Sequence, residues 1–90
     1  MTIKGQIKVV KETIQVTDSF KKREFVITTN EDKYPQDILF QLSQDKVSLL
    51  DTIQVNELVE VEFNLRGRGF EKDGVTRYFN QLEAWKVSKI

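Results

Sequence analysis

Arg66, Arg68, Lys72 and Arg77 recur at short intervals through the stretch Leu65 to Phe79, and Phe70, Tyr78 and Phe79 set aromatic faces among them. Cationic side chains neutralise phosphates, and exposed rings stack on bases, each stack worth ~1–3 kcal/mol without demanding a particular base. That chemistry suits a single strand, whose base faces are free. A second basic cluster with an aromatic, Phe20, Lys21, Lys22 and Arg23, lies earlier in the chain. The candidate nucleic-acid-binding residues are therefore Lys21, Lys22, Arg23, Arg66, Arg68, Phe70, Lys72, Arg77 and Tyr78. The opposing reading makes Phe79 and Phe20 core residues and leaves the cations to solvate a protruding hairpin, as unpartnered surface charges commonly do.

These residues need a scaffold, and the local pattern supplies one. Val59, Val61, Phe63 and Leu65 alternate with Glu60, Glu62 and Asn64, the period of a half-buried strand. Asp73-Gly74 is a strong hairpin signal, because Asp tolerates the left-handed region and Gly enters it without a steric penalty. A last strand, Thr76 to Ile90, follows it, with Leu82 and Ala84 inward and a phase change near Trp85 that brings Val87 inward. The basic cluster thus falls on two long antiparallel strands and their turn.

Upstream, Thr2 to Thr17 reads as one long strand, with Ile3, Ile7 and Val9 on its inner face and Ile14 and Val16 continuing after a shift of phase at Val9-Val10. Gly5 on the inner face points to a bulge, a bend or a close backbone approach. Thr17-Asp18-Ser19 is a turn cluster leading to a second strand with Phe25 and Ile27 inward. Asn30 to Asp32 is a polar connection, and Tyr34-Pro35 holds the chain extended. A third strand places Ile38, Phe40 and Leu42 inward. Ser43 to Asp51 then changes period, so that Val47, Leu50 and Leu49 can share one side of a short helix capped by Ser43 or Asp45. Asn56 suits a left-handed position in the turn that enters the fourth strand.

Ninety residues with 39% apolar composition fit a single domain spanning 1–90, built on one core. No run approaches the roughly 20 apolar residues of a membrane helix, and Met1 to Val10 alternates as a strand does, so a cytoplasmic location away from membranes is expected. The chain has no Cys and no His, which removes thiol nucleophiles, cysteine zinc sites and the usual general base. No cofactor or metal and no catalytic activity are expected. Glu60 and Glu62 share a strand face, but a hydrolytic pair must flank a cleft, and two acids on the solvated face of a strand are more often surface charges without a chemical task, free to face Arg66 or a neighbouring Lys across strands. Glu31-Asp32, Asp45 and Asp51 lack the spacing of a calcium loop. Arg68-Gly69-Phe70 opens like an RNA-recognition strand but continues with Glu71, and Gly67-Arg68-Gly69 lacks the third glycine and the helix of a dinucleotide fingerprint.

The net charge of zero conceals a segregation along the chain. Residues 1–23 carry six Lys/Arg against two Asp/Glu, residues 24–64 two against nine, and residues 65–90 six against three. The ends are basic and the middle is acidic. Glu24 and Asp37, expected to point outward from the second and third strands, would repel phosphate there. Trp85 has two readings, a stacking or docking residue and a core residue, of which the core is favoured; Tyr34 can stack a ligand or pin its own loop.

The order strand, strand, strand, short helix, strand, strand is that of a five-stranded Greek-key barrel, all-β, with one short helix between strands 3 and 4. It resembles the OB-fold. More narrowly, Ile3-Lys4-Gly5, Arg23 to Ile27, Tyr34-Pro35, Phe63 to Arg68 and Tyr78 to Lys86 resemble a family of short bacterial proteins catalogued as a domain of unknown function. The resemblance implies an OB-like barrel and no established activity. The residues therefore set the expectation, a non-catalytic accessory that binds single-stranded DNA, or less readily RNA, through basic-aromatic loops. The alternative is a protein-interaction or homodimerisation module using a barrel edge or Trp85.

Overall fold

A computed structural model of the chain describes residues 1–29 and 33–90, and the expected polar connection Asn30 to Asp32 lies outside them. The described residues form six strands, β1 (Thr2–Val10), β2 (Ile14–Thr17), β3 (Phe20–Thr29), β4 (Gln36–Ser43), β5 (Leu58–Lys72) and β6 (Val75–Lys89), with a 3-10 helix, Gln44–Leu50, between β4 and β5. The count rises from five to six because the long first strand breaks at residues 11–13 into β1 and β2. The sheet order is β1-β5-β6-β4-β3-β2, with β1 also pairing β3. This is the expected all-β OB-like fold, with the helix where the change of period placed it. No helix among the described residues is long and apolar enough to cross a membrane.

β1 serves two partners, and Gly5 is where it passes between them. Thr2 to Gln6 pair with β5, whereas Gln6 to Val10 pair with β3. A Cβ on Gly5 would stand 2.8 Å from the Thr28 carbonyl oxygen and 3.0 Å from Ile27 Cδ1, so the backbones meet at a distance only glycine permits. The register shifts between Ile7 and Val9, one residue before the expected change of phase. Val9 therefore turns outward while Val10 packs on the core, and Ile14 and Val16, read as inner residues, are half exposed on the edge strand β2.

The core gathers the alternating residues of every longer strand. Ile7, Phe25, Ile27, Phe40, Leu42, Val59 and Val61 are fully buried, with Val47 and Leu50 of the 3-10 helix and Ile53 laid across one end. Phe40 stacks on Phe25 at 5.3 Å between ring centres and meets Phe63 edge-on at 5.1 Å, geometries that favour aromatic pairs. Ser43 occupies the N-cap position without capping, since its hydroxyl is directed to Glu83 instead. Asn56, at φ 78°, takes the left-handed turn position expected of it.

β5 and β6 part from this core halfway along their length. Pairing of β5 with β1 ends at the Met1–Phe63 hydrogen bonds of 2.8 and 3.0 Å, and β6 bridges β4 only through Gln41 and Glu83. A bulge opposite Glu62 and Phe63 leaves Trp85 without a ladder partner, which is the phase change expected near that residue. It returns Val87 to the core but leaves Trp85 43% exposed, so the core reading of Trp85 is corrected.

Candidate nucleic-acid interface

Beyond Phe63 and Ala84 the hairpin is a two-stranded ribbon, and every residue from Asn64 to Asn80 is exposed. Its turn has Asp73 at φ 55° and Gly74 at φ 77°, the two left-handed residues that match the twist of a tight hairpin. A two-residue turn fixes the register, pairing Lys72 with Val75, Phe70 with Arg77, Arg68 with Phe79 and Arg66 with Gln81. Paired residues share a side and successive residues alternate, so Arg66, Arg68, Phe70, Lys72, Arg77 and Phe79 all emerge on one face.

That face is hollowed in two adjoining places. One hollow of ≈ 540 Å³ near the tip is lined by Phe70, Lys72, Asp73, Val75, Arg77 and Phe79. The other, ≈ 260 Å³ at the base, is lined by Gln41, Arg66, Gly67, Arg68, Phe79, Asn80, Gln81 and Glu83. Phe79 borders both, and its 57% exposure goes against the opposing reading that made it a core residue. Tyr78 alternates to the other face, where its ring lies over Gly69, 3.1 Å from where a Cβ would stand. Of the expected hairpin residues, Tyr78 alone is separated from the cations.

The cations of this face are uncommitted. Arg66, Arg68, Lys72 and Arg77 form no ion pair among the described residues, whereas the acids of the neighbouring strands are answered locally. Lys11 lies 3.7 Å from Glu24, and Lys8 lies 2.7 Å from Asp37. Hydrogen bonds from Lys8 and from the Thr28 hydroxyl hold the Asp37 carboxyl below its ordinary value. The two acids expected to repel phosphate therefore carry their own counter-charges. Lys4 and Lys86 stand directly opposite Glu60 and Glu62 across the ladders, each 3.8 Å away, so those carboxylates are cross-strand ion-pair partners.

The β2–β3 turn divides its three expected cations. Lys22 is in phase with the outward residues of β3 and lies opposite Ser43, on the side of the sheet that bears Glu83. Lys21 has the opposite phase, and its N–H donates to the Gln44 side chain, which also donates to the Ser19 carbonyl and ties the turn to the helix. Arg23 is committed internally. Its Nε donates to the Lys11 carbonyl at 2.8 Å, and one terminal nitrogen donates to the Val47 carbonyl at 3.2 Å and the Asp51 carboxylate at 2.8 Å.

Three residues of the face, Gln81, Gln41 and Glu83, are absent from the binding chemistry read in the sequence, and Phe79 is named there as an aromatic face without joining the binding set. Gln81 and the placement of Phe79 were accessible, because a two-residue turn at Asp73-Gly74 dictates that Phe79 opposes Arg68 and Gln81 opposes Arg66. Gln41 and Glu83 meet through the single parallel bridge between β4 and β6, for which no local pattern exists.

The family described as Domain of unknown function (DUF3127) matches residues 2–88. A comparison with curated protein sequences gives no match. Among solved structures, a mitochondrial single-stranded DNA binding protein from S. cerevisiae is similar over 100% of this chain and 92% of its own, with a TM-score of 0.75 and 18% identity. A Plasmodium falciparum SSB in complex with ssDNA is similar over the same shares, with a TM-score of 0.67 and 13% identity. The small single-stranded DNA-binding protein from Streptomyces coelicolor has a TM-score of 0.63 and 11% identity, again over 100% and 92%. At such identities the likeness is one of fold.

Proposed function

The chain belongs to the family described as Domain of unknown function (DUF3127), and from that premise we propose that it binds single-stranded nucleic acid, DNA ahead of RNA, as a non-catalytic accessory protein. The observation that carries this reading is the ribbon face on which Arg66, Arg68, Lys72 and Arg77, free of ion pairs among the described residues, flank the exposed rings of Phe70 and Phe79. Spacing along the ladder is about 3.4 Å per residue, so alternate cations lie about 7 Å apart, the scale of neighbouring phosphates in an extended strand. The rings between them offer stacking surfaces, and Lys22 extends the positive face toward β3. The likeness of fold to single-stranded DNA binding proteins supports the same reading.

The test is fluorescence anisotropy of labelled DNA and RNA single strands at low and moderate salt, with the wild-type protein and with Arg66→Ala, Arg68→Ala together. Binding that weakens with salt and is lost in the double variant is expected. Absence of binding by folded protein at low salt overturns the reading. The edge strand β2, whose half-exposed Ile14 and Val16 lie at the end of the sheet, would then favour a protein-docking role.

A further inference from the structure

The hollow at the base of the hairpin holds a carboxylate where a phosphate-binding surface has no use for one. Glu83 lines it beside Arg66 and Arg68, yet forms no ion pair among the described residues. Its orientation is fixed by a relay. Gln41 Nε2 donates to Ser43 Oγ at 3.2 Å, and Ser43 Oγ lies 2.9 and 3.2 Å from the two oxygens of Glu83. The only bridge between β4 and β6, Gln41 with Glu83, holds the backbone at the same place. A half-buried acid, held by a hydroxyl and bordered by the exposed Phe79 ring, presents acceptors and no donors to whatever enters.

We propose that this hollow selects guanine from a bound single strand, with Phe79 stacking the base and the Glu83 carboxylate accepting from its Watson–Crick edge. The inference rests on the nucleic-acid reading above and adds a base preference to it. Guanine alone offers two adjacent donors on that edge, N1–H and the N2 amine, which match two carboxylate oxygens. Adenine and cytosine offer one donor beside an acceptor, and thymine one donor between two acceptors, so each brings a lone pair against the acid. Unpaired bases expose this edge, and stacking alone does not discriminate among them. Arg66 and Arg68 offset the charge of the acid and remain directed to the backbone.

The experiment compares anisotropy titrations of labelled dT strands with the same strands carrying separated dG, deoxyinosine or 7-deaza-dG. The dG strand is expected to bind about fivefold or more tightly than dT, the lower end for a two-bond base contact. Deoxyinosine, lacking the N2 amine, loses most of that gain. 7-deaza-dG keeps it, since the edge removed there is the one arginine reads. Glu83→Gln abolishes the preference, so that dG and dT strands bind alike, and Ser43→Ala, which leaves the charge but frees the carboxylate, reduces it. Equal binding of dG and dT strands by the wild type, or a preference that survives Glu83→Gln or vanishes with 7-deaza-dG, overturns the inference while dT binding shows the broader reading intact. Failure to bind any strand overturns both.

Discussion

Arg68 and Phe79 face one another directly across the β5–β6 ladder, so a cation and a ring share one side of a ribbon that nothing else among the described residues covers. Tyr78, the immediate neighbour of Phe79, is on the other side, over Gly69. Phe79→Ala is expected to weaken single-strand binding by about 1–3 kcal/mol, the worth of one stacked base. Tyr78→Ala is expected to leave affinity within about twofold, although Tyr78 is the more exposed ring at 78%. Anisotropy titrations of the two variants decide between alternation and mere exposure as the guide; equal losses would refute the one-sided arrangement.

Arg23 tests a different division, between a cation that binds a ligand and one that holds the fold. It joins residue 11, the 3-10 helix and Asp51 through three hydrogen bonds, with a side chain only 17% exposed. Arg23→Ala removes all three bonds, leaves the part-buried Val47 carbonyl without its arginine donor, and is expected to cost about 1–3 kcal/mol in urea unfolding. Arg23→Lys recovers little, because an ammonium lacks the planar fork that reaches all three acceptors. Strand affinity of the folded variant should change far less than for Arg66→Ala. A stable Arg23→Ala protein that has lost strand binding would reverse this assignment.

The difference between Arg23 and Arg66 marks where the sequence stopped being legible. Phe25 and Ile27, Phe40 and Leu42, Val59 and Val61 are buried as alternation requires, because each lies in an uninterrupted strand whose phase is set by its own neighbours. Val9 and Trp85 break the pattern at bulges, where one extra residue reverses the side that faces the core. Arg23 looked like part of a basic run since its acceptors come from residues 11, 47 and 51, remote in sequence. The hairpin face was legible in its cations and partly missed in its partners. Register from the Asp73-Gly74 turn would have placed Phe79 opposite Arg68 and added Gln81, but nothing local announces the Gln41–Glu83 bridge.

Acid stability should report on the Lys8–Asp37–Thr28 cluster. Lys8 and Thr28 hydrogen-bond the Asp37 carboxylate and hold its pKa below the ordinary 3.8. The folded state therefore binds this proton more weakly than the unfolded state. Its stabilising contribution is complete above the unfolded value and is lost as pH falls through the folded one. Asp37→Asn is expected to lower Tm modestly near neutral pH, with the gap to wild type closing in acid and narrowing in high salt, as exposed pairs are screened. Thermal melts across pH read it directly; a gap that stays constant into strong acid would show that the ionised form is not what contributes.

Gly5 gives the sharpest test of the fold that carries the ribbon. At this residue β1 turns from β5 to β3, and just beyond it the 54–57 turn takes over β1's free groups, with Ile7 N–H donating to the Glu57 carbonyl at 2.9 Å and Asn56 N–H donating to the Ile7 carbonyl at 2.8 Å. Replacing glycine by alanine in a strand normally gains about 0.5–1 kcal/mol by restricting the unfolded chain. Here the new methyl would lie 2.8 Å from the Thr28 carbonyl oxygen, a backbone atom of a residue paired with both Gln6 of β1 and Asp37 of β4. Relief requires moving a strand, and overpacking of that kind costs about 1–3 kcal/mol. The cost exceeds the gain, so Gly5→Ala is expected to lower stability in urea, whereas alanine at Gly67, whose nearest neighbour is the Asn80 side-chain oxygen at 3.3 Å, should be tolerated. Were Gly5→Ala as stable as wild type, β1 and β3 would not approach as closely at this crossing as they do here.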